Sequence, residues 1–181
     1  MIRRIVTCAA LALLPASALA QTPAPAVSAN SSTTAVKAQF GMIKGVLART
    51  AEKVPEELYA YKATPEVRSI GQIIGHIADA QFMFCSTAAG EKAPQSDAEK
   101  TMTTKTQLSK ALADSTAYCD KVIDGMNDTT GMQIVRLFGP TPRLNVLTFN
   151  IAHSYEHYGN LVTYMRLNKI VPPSSEPPPA K

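Results

Sequence analysis

The sequence predicts an all-α protein, a four-helix bundle whose helices are joined by long connections. Apolar residues recur at helical spacing in four segments of the 181-residue chain. Proline, glycine and asparagine mark the ends of these segments, and no convincing strand pattern competes with them. The expected domain, residues 33–171, is long enough to bury a hydrophobic core.

The first twenty residues have the composition of a signal peptide. Arg3 and Arg4 precede the apolar run Ile5–Leu14, and Ala18-Leu19-Ala20 supplies the small residues that signal peptidase accepts. The run is too short to span a bilayer as a helix. We therefore expect residues 1–20 to be cleaved and the protein to be periplasmic or secreted, without a membrane anchor.

The two ends of the exported chain are expected to be unstructured, and the net charge of the chain is small. Residues 21–32 predict a flexible lead-in, and residues 172–181 predict a disordered, proline-rich tail. Without Arg3 and Arg4 the formal charge falls from +4 to +2, and no basic cluster is present in the sequence. The composition therefore excludes nucleic acid as the expected partner.

The first two helices are predicted from an apolar face and from residues typical of helix ends. The apolar face of the first helix comprises Val36, Phe40, Ile43, Leu47 and Val54. Thr64-Pro65-Glu66 predicts the start of the second helix, because a cap residue, a first-turn proline and an acidic residue follow one another. The second helix is expected to end near Gly90 and carries Ile70, Ile74, Ile77 and Phe84.

The third and fourth helices are predicted in the same way. The third is expected to end at Asn127-Asp128 and carries Leu108, Leu112, Cys119, Val122 and Met126. Thr141-Pro142 predicts the start of the fourth, which ends at Asn168 and carries Leu144, Leu147, Ile151, Leu161 and Met165. Between them, residues 132–138 are interpreted as a turn of helix over one end of the bundle. Connections of about 10 to 15 residues leave the order of the helices open.

Two pairs of residues predict close contacts within the bundle. Cys85 and Cys119 are 34 positions apart and predict a disulfide in an oxidising compartment, with two buried thiols as the alternative. Such a bond could contribute about 3–4 kcal/mol. Gly71 and Gly75 would let a neighbouring helix approach closely, with ordinary tight packing as the alternative.

The chain has only three histidines, and their spacing is the main functional signal. His153 and His157 are four residues apart on the fourth helix, so both imidazoles project from one face. Asn150 and Asn160 extend this face into a polar stripe, which His76 on the second helix could complete. Three neutral imidazoles from two helices can hold a divalent transition metal and leave coordination positions open. The alternative is a set of core histidines that bind no metal.

Residues 153–157 also match the H-x-x-E-H signature of one class of zinc peptidases, with Glu156 as the general base. That class needs a further glutamate ligand well downstream. The only acidic residue after His157 is Glu176, in the proline-rich tail. We therefore exclude a peptidase.

Two motifs carry a resemblance to a known family. Gly75-His76-Ile77 and N-x-x-H-x-x-x-H-x-G-N at 150–160 resemble the DinB-like (DinB/YfiT-type) family of four-helix-bundle metalloproteins, in its exported branch. The resemblance covers about residues 33–173. It implies that His76, His153 and His157 are the metal ligands, whereas Asn160 stands where members usually have glutamine.

The resemblance implies a divalent transition metal, Zn²⁺ first and Ni, Fe, Co or Mn as alternatives. Characterised relatives include enzymes that transfer low-molecular-weight thiols and a thiol-dependent isomerase. We therefore expect a metal-dependent transferase or hydrolase that acts on a small molecule or a thiol. The alternative is a bundle that binds a metal or a small ligand without catalysis. Bundles of this size often pair, so a homodimer is a further expectation.

Several polar side chains are candidates to act beside the metal. Asp79 and Glu156 are the candidate acid–base residues. Asp79 follows His76 by one turn, where it could orient the ring or simply be exposed to solvent. Glu156 could reach a metal-bound water or be a solvated charge on the helix surface. The residues expected around the ligands are Asp79, Asn150, Asn160, Tyr158 and Tyr155.

Overall fold

The structure is a computed structural model that describes residues 29–177. Six helices occur in this range: α1 (Ser31–Lys53), α2 (Ile70–Ala89), α3 (Ala98–Thr101), α4 (Lys105–Asp124), α5 (Asp128–Gly131) and α6 (Arg143–Leu167). A hairpin of β1 (Ile134–Leu137) and β2 (Gly139–Pro142) precedes α6, and 3-10 turns occupy Glu56–Leu58 and Pro173–Ser175. The four long helices form the predicted bundle. The predicted signal peptide and most of the lead-in lie outside the described residues.

The order of the helices around the bundle follows from their contacts. Helix α2 packs against α4 and α6, and α1 packs against the same two helices. Helices α1 and α2 therefore occupy opposite corners, so the connections from α1 to α2 and from α4 to α6 both cross the bundle. The two helices that carry the histidines, α2 and α6, are direct neighbours.

Helix α2 begins later than Thr64-Pro65-Glu66 predicts. Ser69 is its cap residue, because the Ser69 hydroxyl accepts a hydrogen bond from the Gln72 backbone N–H at 3.1 Å. The Gln72 side chain accepts one in return from the Ser69 backbone N–H at 2.9 Å. This reciprocal capping box satisfies two backbone donors at the start of the helix. Thr64 lies in the connection before the helix and forms no such box. The predicted end at Gly90 is confirmed, with Gly90 in the left-handed conformation at φ 75°.

The hairpin replaces the helical turn expected at residues 132–138. Strands β1 and β2 are antiparallel, with Ile134 opposite Pro142 and Leu137 opposite Gly139. Thr141 and Pro142 belong to β2, and α6 begins at Arg143 without a side-chain cap. A two-stranded hairpin tolerates the prolines because each strand is an edge. Leu137 is buried and fixes the hairpin to the bundle.

The end of the third long helix and the tail differ in detail from the predictions. Helix α4 ends at Asp124, and Asn127 instead caps the short helix α5 through its side-chain oxygen. The tail is ordered over its first residues: Pro173 is buried, and the Ser174 backbone N–H donates to the Tyr158 hydroxyl at 3.0 Å. The disorder expected from residue 172 therefore does not hold for residues 172–177.

The core lies between the four long helices and includes the predicted disulfide. Cys85 and Cys119 are bonded and fully buried, with their Cα atoms 5.3 Å apart, so the bond joins α2 to α4. The large side chains that are almost completely buried include Phe40, Ile43, Leu47, Ile74, Ile77, Leu108, Leu147, Leu161 and Met165. None of the helices between residues 29 and 177 has the length and hydropathy that a membrane span needs.

Candidate metal centre

The three histidines meet at the seam between α2 and α6. His76 projects from the middle of α2, and His153 and His157 project from adjacent turns of α6. His157 is buried, while His76 and His153 are partly buried. Phe84 packs its ring 5.4 Å from the His153 ring and closes one side of the cluster. The packing of two neighbouring helices therefore brings His76 next to His153, although 77 positions separate them in the sequence.

The Nε2 atoms of all three rings point at one another. His153 Nε2 lies 3.2 Å from His76 Nε2 and 3.1 Å from His157 Nε2. Three nitrogens that bind one tetrahedral zinc at about 2.0–2.1 Å are separated by roughly 3.3 Å from each other. The spacing therefore fits three ligands of one cation. Without a cation or a proton between them, such nitrogens would bring their lone pairs together, which is unfavourable.

The protonation of the rings also suits metal binding. Burial, and secondarily the neighbouring His157 and His76 rings, lower the pKa of His153 to about 4. Burial lowers the pKa of His157 as well, again with a contribution from His76. Since an unperturbed imidazole has a pKa of about 6.5, His153 and His157 are neutral at pH 7. A neutral ring can offer a lone pair to a metal without first losing a proton.

Glu99 is a site residue that sequence reasoning missed. Its Oε2 lies 2.8 Å from His76 Nδ1, and its Oε1 accepts a hydrogen bond from Arg68 Nε at 2.7 Å. Burial raises the pKa of Glu99, but the hydrogen bonds from Arg68 and His76 outweigh it, so the pKa lies below its usual value. Glu99 belongs to α3, 23 residues after His76, and no helical spacing relates the two.

Within residues 29–177 the Asp79 side chain forms no hydrogen bond to His76, although orienting that ring was one of its two expected roles. Its carboxylate accepts hydrogen bonds from the backbone N–H groups of Ala98 at 2.9 Å and Glu99 at 3.0 Å, and from the Ser96 hydroxyl. Asp79 therefore anchors the start of α3. Asp79 thereby holds the backbone of Glu99, whose side chain bonds to His76.

The glycines of α2 allow other segments to approach closely, as the sequence predicts, and the nearest atoms belong to α3, α4 and the connection before α2. A Cβ atom on Gly75 would lie 2.7 Å from the Glu99 backbone nitrogen. A Cβ atom on Gly71 would lie 3.1 Å from the Tyr59 carbonyl oxygen and 3.0 Å from Leu108 Cδ1. Gly75 is therefore required by the short helix α3, which crosses α2 beside His76.

The remaining predicted site residues are divided between the cluster and other parts of the bundle. Asn150 is buried beside the disulfide, with its Nδ2 3.6 Å from Cys85 Sγ, and Tyr158 binds the tail. Within residues 29–177 neither side chain forms a hydrogen bond to a histidine of the cluster. Glu156 and Tyr155 are exposed on α6 and make no side-chain hydrogen bond within residues 29–177.

A cleft of about 500 Å³ opens next to the cluster. Its wall on the α6 side is formed by His157, Asn160 and Tyr164. Arg68 borders it from the connection before α2, and Glu99 borders it from α3. The prediction that Asn160 lies close to the ligands is therefore consistent with its position in the cleft wall. A larger groove of about 740 Å³ between α1 and α4 is lined by none of the three histidines, so the smaller cleft is the candidate substrate site.

Comparisons with known proteins agree with this architecture. A DinB-like protein from Bacillus cereus ATCC 10987 is similar with a TM-score of 0.69 at 15% identity, over 77% of this chain and 95% of that chain. A DinB-like protein from Bacillus subtilis gives 0.61 at 18% identity, over 75% and 92% of the two chains. A conserved protein from Enterococcus faecalis gives 0.59 at 15% identity, over 75% and 95%. At these identities the likeness concerns the fold alone. None of the curated proteins compared with the chain matches it.

The family model of the DinB superfamily matches residues 39–161. The match covers more than half of the chain and contains all three histidines. The helical fold of the solved DinB-like structures confirms the predicted fold class. The chain belongs to the DinB superfamily.

Proposed function

We propose that the protein is a metal-dependent transferase or hydrolase in which His76, His153 and His157 hold one divalent transition metal, with Zn²⁺ as the first choice. The observation that carries this proposal is the convergence of three Nε2 atoms, with neighbouring atoms 3.1 and 3.2 Å apart. An all-nitrogen, three-histidine set suits Zn²⁺ and also the late first-row metals, whereas Ca²⁺ and Mg²⁺ prefer oxygen ligands.

When bound, such a cation supplies Lewis-acid chemistry and lowers the pKa of a water or thiol that it coordinates. Among residues 29–177 the cluster offers three ligands, so a tetrahedral cation held there would keep one position for a substrate. The cleft beside His157 would admit a small molecule to the edge of the cluster, and Asn160 and Tyr164 offer polar contacts in its wall. Arg68 at the rim offers a positive charge to an anionic group.

The direct test is the metal content of protein purified without a histidine tag. We expect about one equivalent of zinc after reconstitution and dialysis in the wild type. The variants His153→Gln and His157→Gln should each lose most of it. Thr163→Ala is the matched control, because Thr163 is exposed on the same helix beyond the cluster and should keep full loading. Less than about 0.2 equivalents in the wild type would contradict the proposal.

A second measurement separates an enzyme from a closed structural site. In Co²⁺-substituted protein, azide or a small thiol should shift the visible spectrum, because an exchangeable position is available. A spectrum that neither ligand changes would favour the alternative, a bundle that binds its metal without catalysis.

We also propose that the protein acts outside the cytoplasm. The disulfide between Cys85 and Cys119 supports this proposal, because disulfides persist in oxidising compartments. The test is N-terminal sequencing of the protein recovered from the periplasm or medium of an expressing bacterium. A mature chain that begins at Gln21 is expected, and a cytoplasmic product that retains Met1 would overturn the proposal.

A further inference from the structure

His76 differs from the other two histidines in the partner of its second ring nitrogen. Its Nδ1 lies 2.8 Å from the Glu99 carboxylate. The Nδ1 atoms of His153 and His157 are buried and have no hydrogen-bond partner among residues 29–177. In the described part of the chain, one ring of the cluster is therefore fixed by a charged acceptor and two are not.

The identity of that acceptor determines the tautomer of His76. An ionised carboxylate can only accept a hydrogen bond, and a neutral imidazole carries one donor nitrogen and one acceptor nitrogen. A bond to Glu99 therefore places the proton on Nδ1 and leaves a lone pair on Nε2. That Nε2 faces His153 Nε2 at 3.2 Å, in the centre of the cluster. A metal ligand requires this tautomer at His76.

Helix α2 itself holds Glu99 in place at two points on either side of His76. The absence of a side chain at Gly75 allows the backbone of Glu99 to lie against the helix. One turn later, Asp79 accepts hydrogen bonds from the backbone N–H groups of Ala98 and Glu99. Contacts with Gly75 and Asp79 thus fix the backbone of Glu99 at the level of the His76 ring.

The other carboxylate oxygen is also fixed. Arg68 donates from Nε to Glu99 Oε1 at 2.7 Å, and Arg68 precedes the cap residue of α2. With one oxygen bound to Arg68 and the other to His76, the carboxylate cannot rotate away from the ring without losing a charge-assisted hydrogen bond. The geometry therefore specifies the orientation of the carboxylate as well as its position.

We propose that Glu99 is a positioning residue that sets the tautomer and orientation of His76, and that Gly75, Asp79 and Arg68 hold Glu99 for this purpose. This inference rests on the proposed function, because Glu99 has this role only if the three histidines bind a metal. The tautomer of His76 can nevertheless be measured in the metal-free protein. Removing a residue that hydrogen-bonds to the second ring nitrogen of a metal-binding histidine typically weakens metal affinity by about 10–100-fold.

The test is nitrogen NMR of ¹⁵N-labelled, metal-free protein at pH 8. In the wild type, His76 should show a protonated Nδ1 and an unprotonated Nε2. Glu99→Ala should shift the ring toward a mixture of tautomers. Glu99→Gln should have a smaller effect, because its amide oxygen can still accept the hydrogen bond. Asp97→Asn is the matched control, since Asp97 is an acidic neighbour in the same segment whose side chain makes no cap.

Zinc affinity is measured on the same variants, with circular dichroism to establish that each is folded. We expect Glu99→Ala to weaken binding by about 10–100-fold and Asp97→Asn to leave it within about twofold. A wild-type His76 protonated on Nε2 would overturn the inference even if the protein binds zinc. A protein that binds no zinc but shows the Glu99-dependent tautomer would overturn the proposed function and leave this inference standing. Unchanged tautomer and affinity in folded Glu99→Ala would overturn the inference alone.

Discussion

At the scale of single residues, the three histidines of the candidate site were predictable from the sequence, whereas Glu99 was not. His153 and His157 follow from a spacing of four, and His76 follows from the resemblance of the motif around it. Glu99 reaches the site because a connection folds back over α2, and nothing in its local sequence encodes that path. Asp79 lies one turn after His76, but its carboxylate accepts hydrogen bonds from the backbone of α3.

The protonation of His153 leads to a pH prediction for the metal-free protein. Its pKa is about 6.5 in the unfolded chain and about 4 in the fold. The unfolded chain thus binds more protons between these values, so stability rises with pH across that window and is lost as pH falls from about 6.5 toward 4. The ring is only partly buried, so we expect the cost at pH 5 relative to pH 7.5 to be about 1 kcal/mol.

Urea unfolding at the two pH values, in a chelating buffer, measures this loss. The His153→Gln variant should show a smaller dependence on pH, because glutamine does not titrate. Equal slopes for the wild type and the variant would contradict the assignment of the effect to His153.

At the scale of elements, the apolar periodicity predicts the bodies of the four long helices, and hydrogen bonding of the backbone determines their ends. Ser69 with Gln72 and Thr104 with Gln107 both form capping boxes, and each begins a long helix. The Thr64-Pro65-Glu66 sequence has the right residue types for a start, but Ser69 and Gln72 together satisfy two backbone donors. Thr64 is followed three positions later by Val67, which cannot complete a capping box. The hairpin was missed because its strands have four residues each, too few to show an alternation.

The start of α2 can be tested with two matched substitutions. Ser69→Ala removes the cap and should lower the free energy of unfolding by about 1 kcal/mol. Thr64→Ala, at the start that the sequence predicts, should change it by less than about 0.5 kcal/mol, because Thr64 is exposed in a connection. Chemical denaturation of both variants makes the comparison, and a larger cost at Thr64 would show that α2 begins where the sequence suggests.

The contact between α2 and α3 leads to a second prediction at this scale. Gly75→Ala would place a Cβ 2.7 Å from the Glu99 backbone nitrogen, so α3 must move. We expect the free energy of unfolding to fall by about 1–3 kcal/mol, together with weaker zinc binding. Gly159→Ala is the control, because its Cβ would meet nothing within 4 Å on the same type of helix. This substitution should stabilise the protein by up to about 1 kcal/mol, measured by thermal unfolding. Equal destabilisation by both substitutions would contradict the close approach of α3.

At the scale of the whole molecule, the arrangement of the bundle places the site. Because α1 and α2 sit at opposite corners, α2 and α6 are adjacent along their length and the three imidazoles can meet. The sequence left this order open, since connections of 15 residues or so can reach either a neighbouring or an opposite corner. The contact between α2 and α4 is covalently fixed by the disulfide, on a side of α2 different from the one that carries His76.

The disulfide should contribute to the stability of the bundle without contributing to metal binding. Replacing both Cys85 and Cys119 with alanine should lower the free energy of unfolding by about 3–4 kcal/mol. Zinc stoichiometry of the folded variant should remain unchanged, because neither sulfur belongs to the histidine cluster. The checks are urea unfolding and metal analysis of the same preparation. A folded double variant that loses its zinc would show that the sulfurs and the histidines form one functional unit.

The central claim is that three imidazoles, from α2 and α6, bind one zinc ion. X-ray absorption spectroscopy of the zinc-loaded protein tests this claim most directly. The predicted result is a shell of nitrogen and oxygen ligands at about 2.0–2.1 Å with the outer-shell scattering of three imidazoles, falling to two in His157→Gln. A shell that contains sulfur, or fewer than three imidazoles in the wild type, would contradict the account.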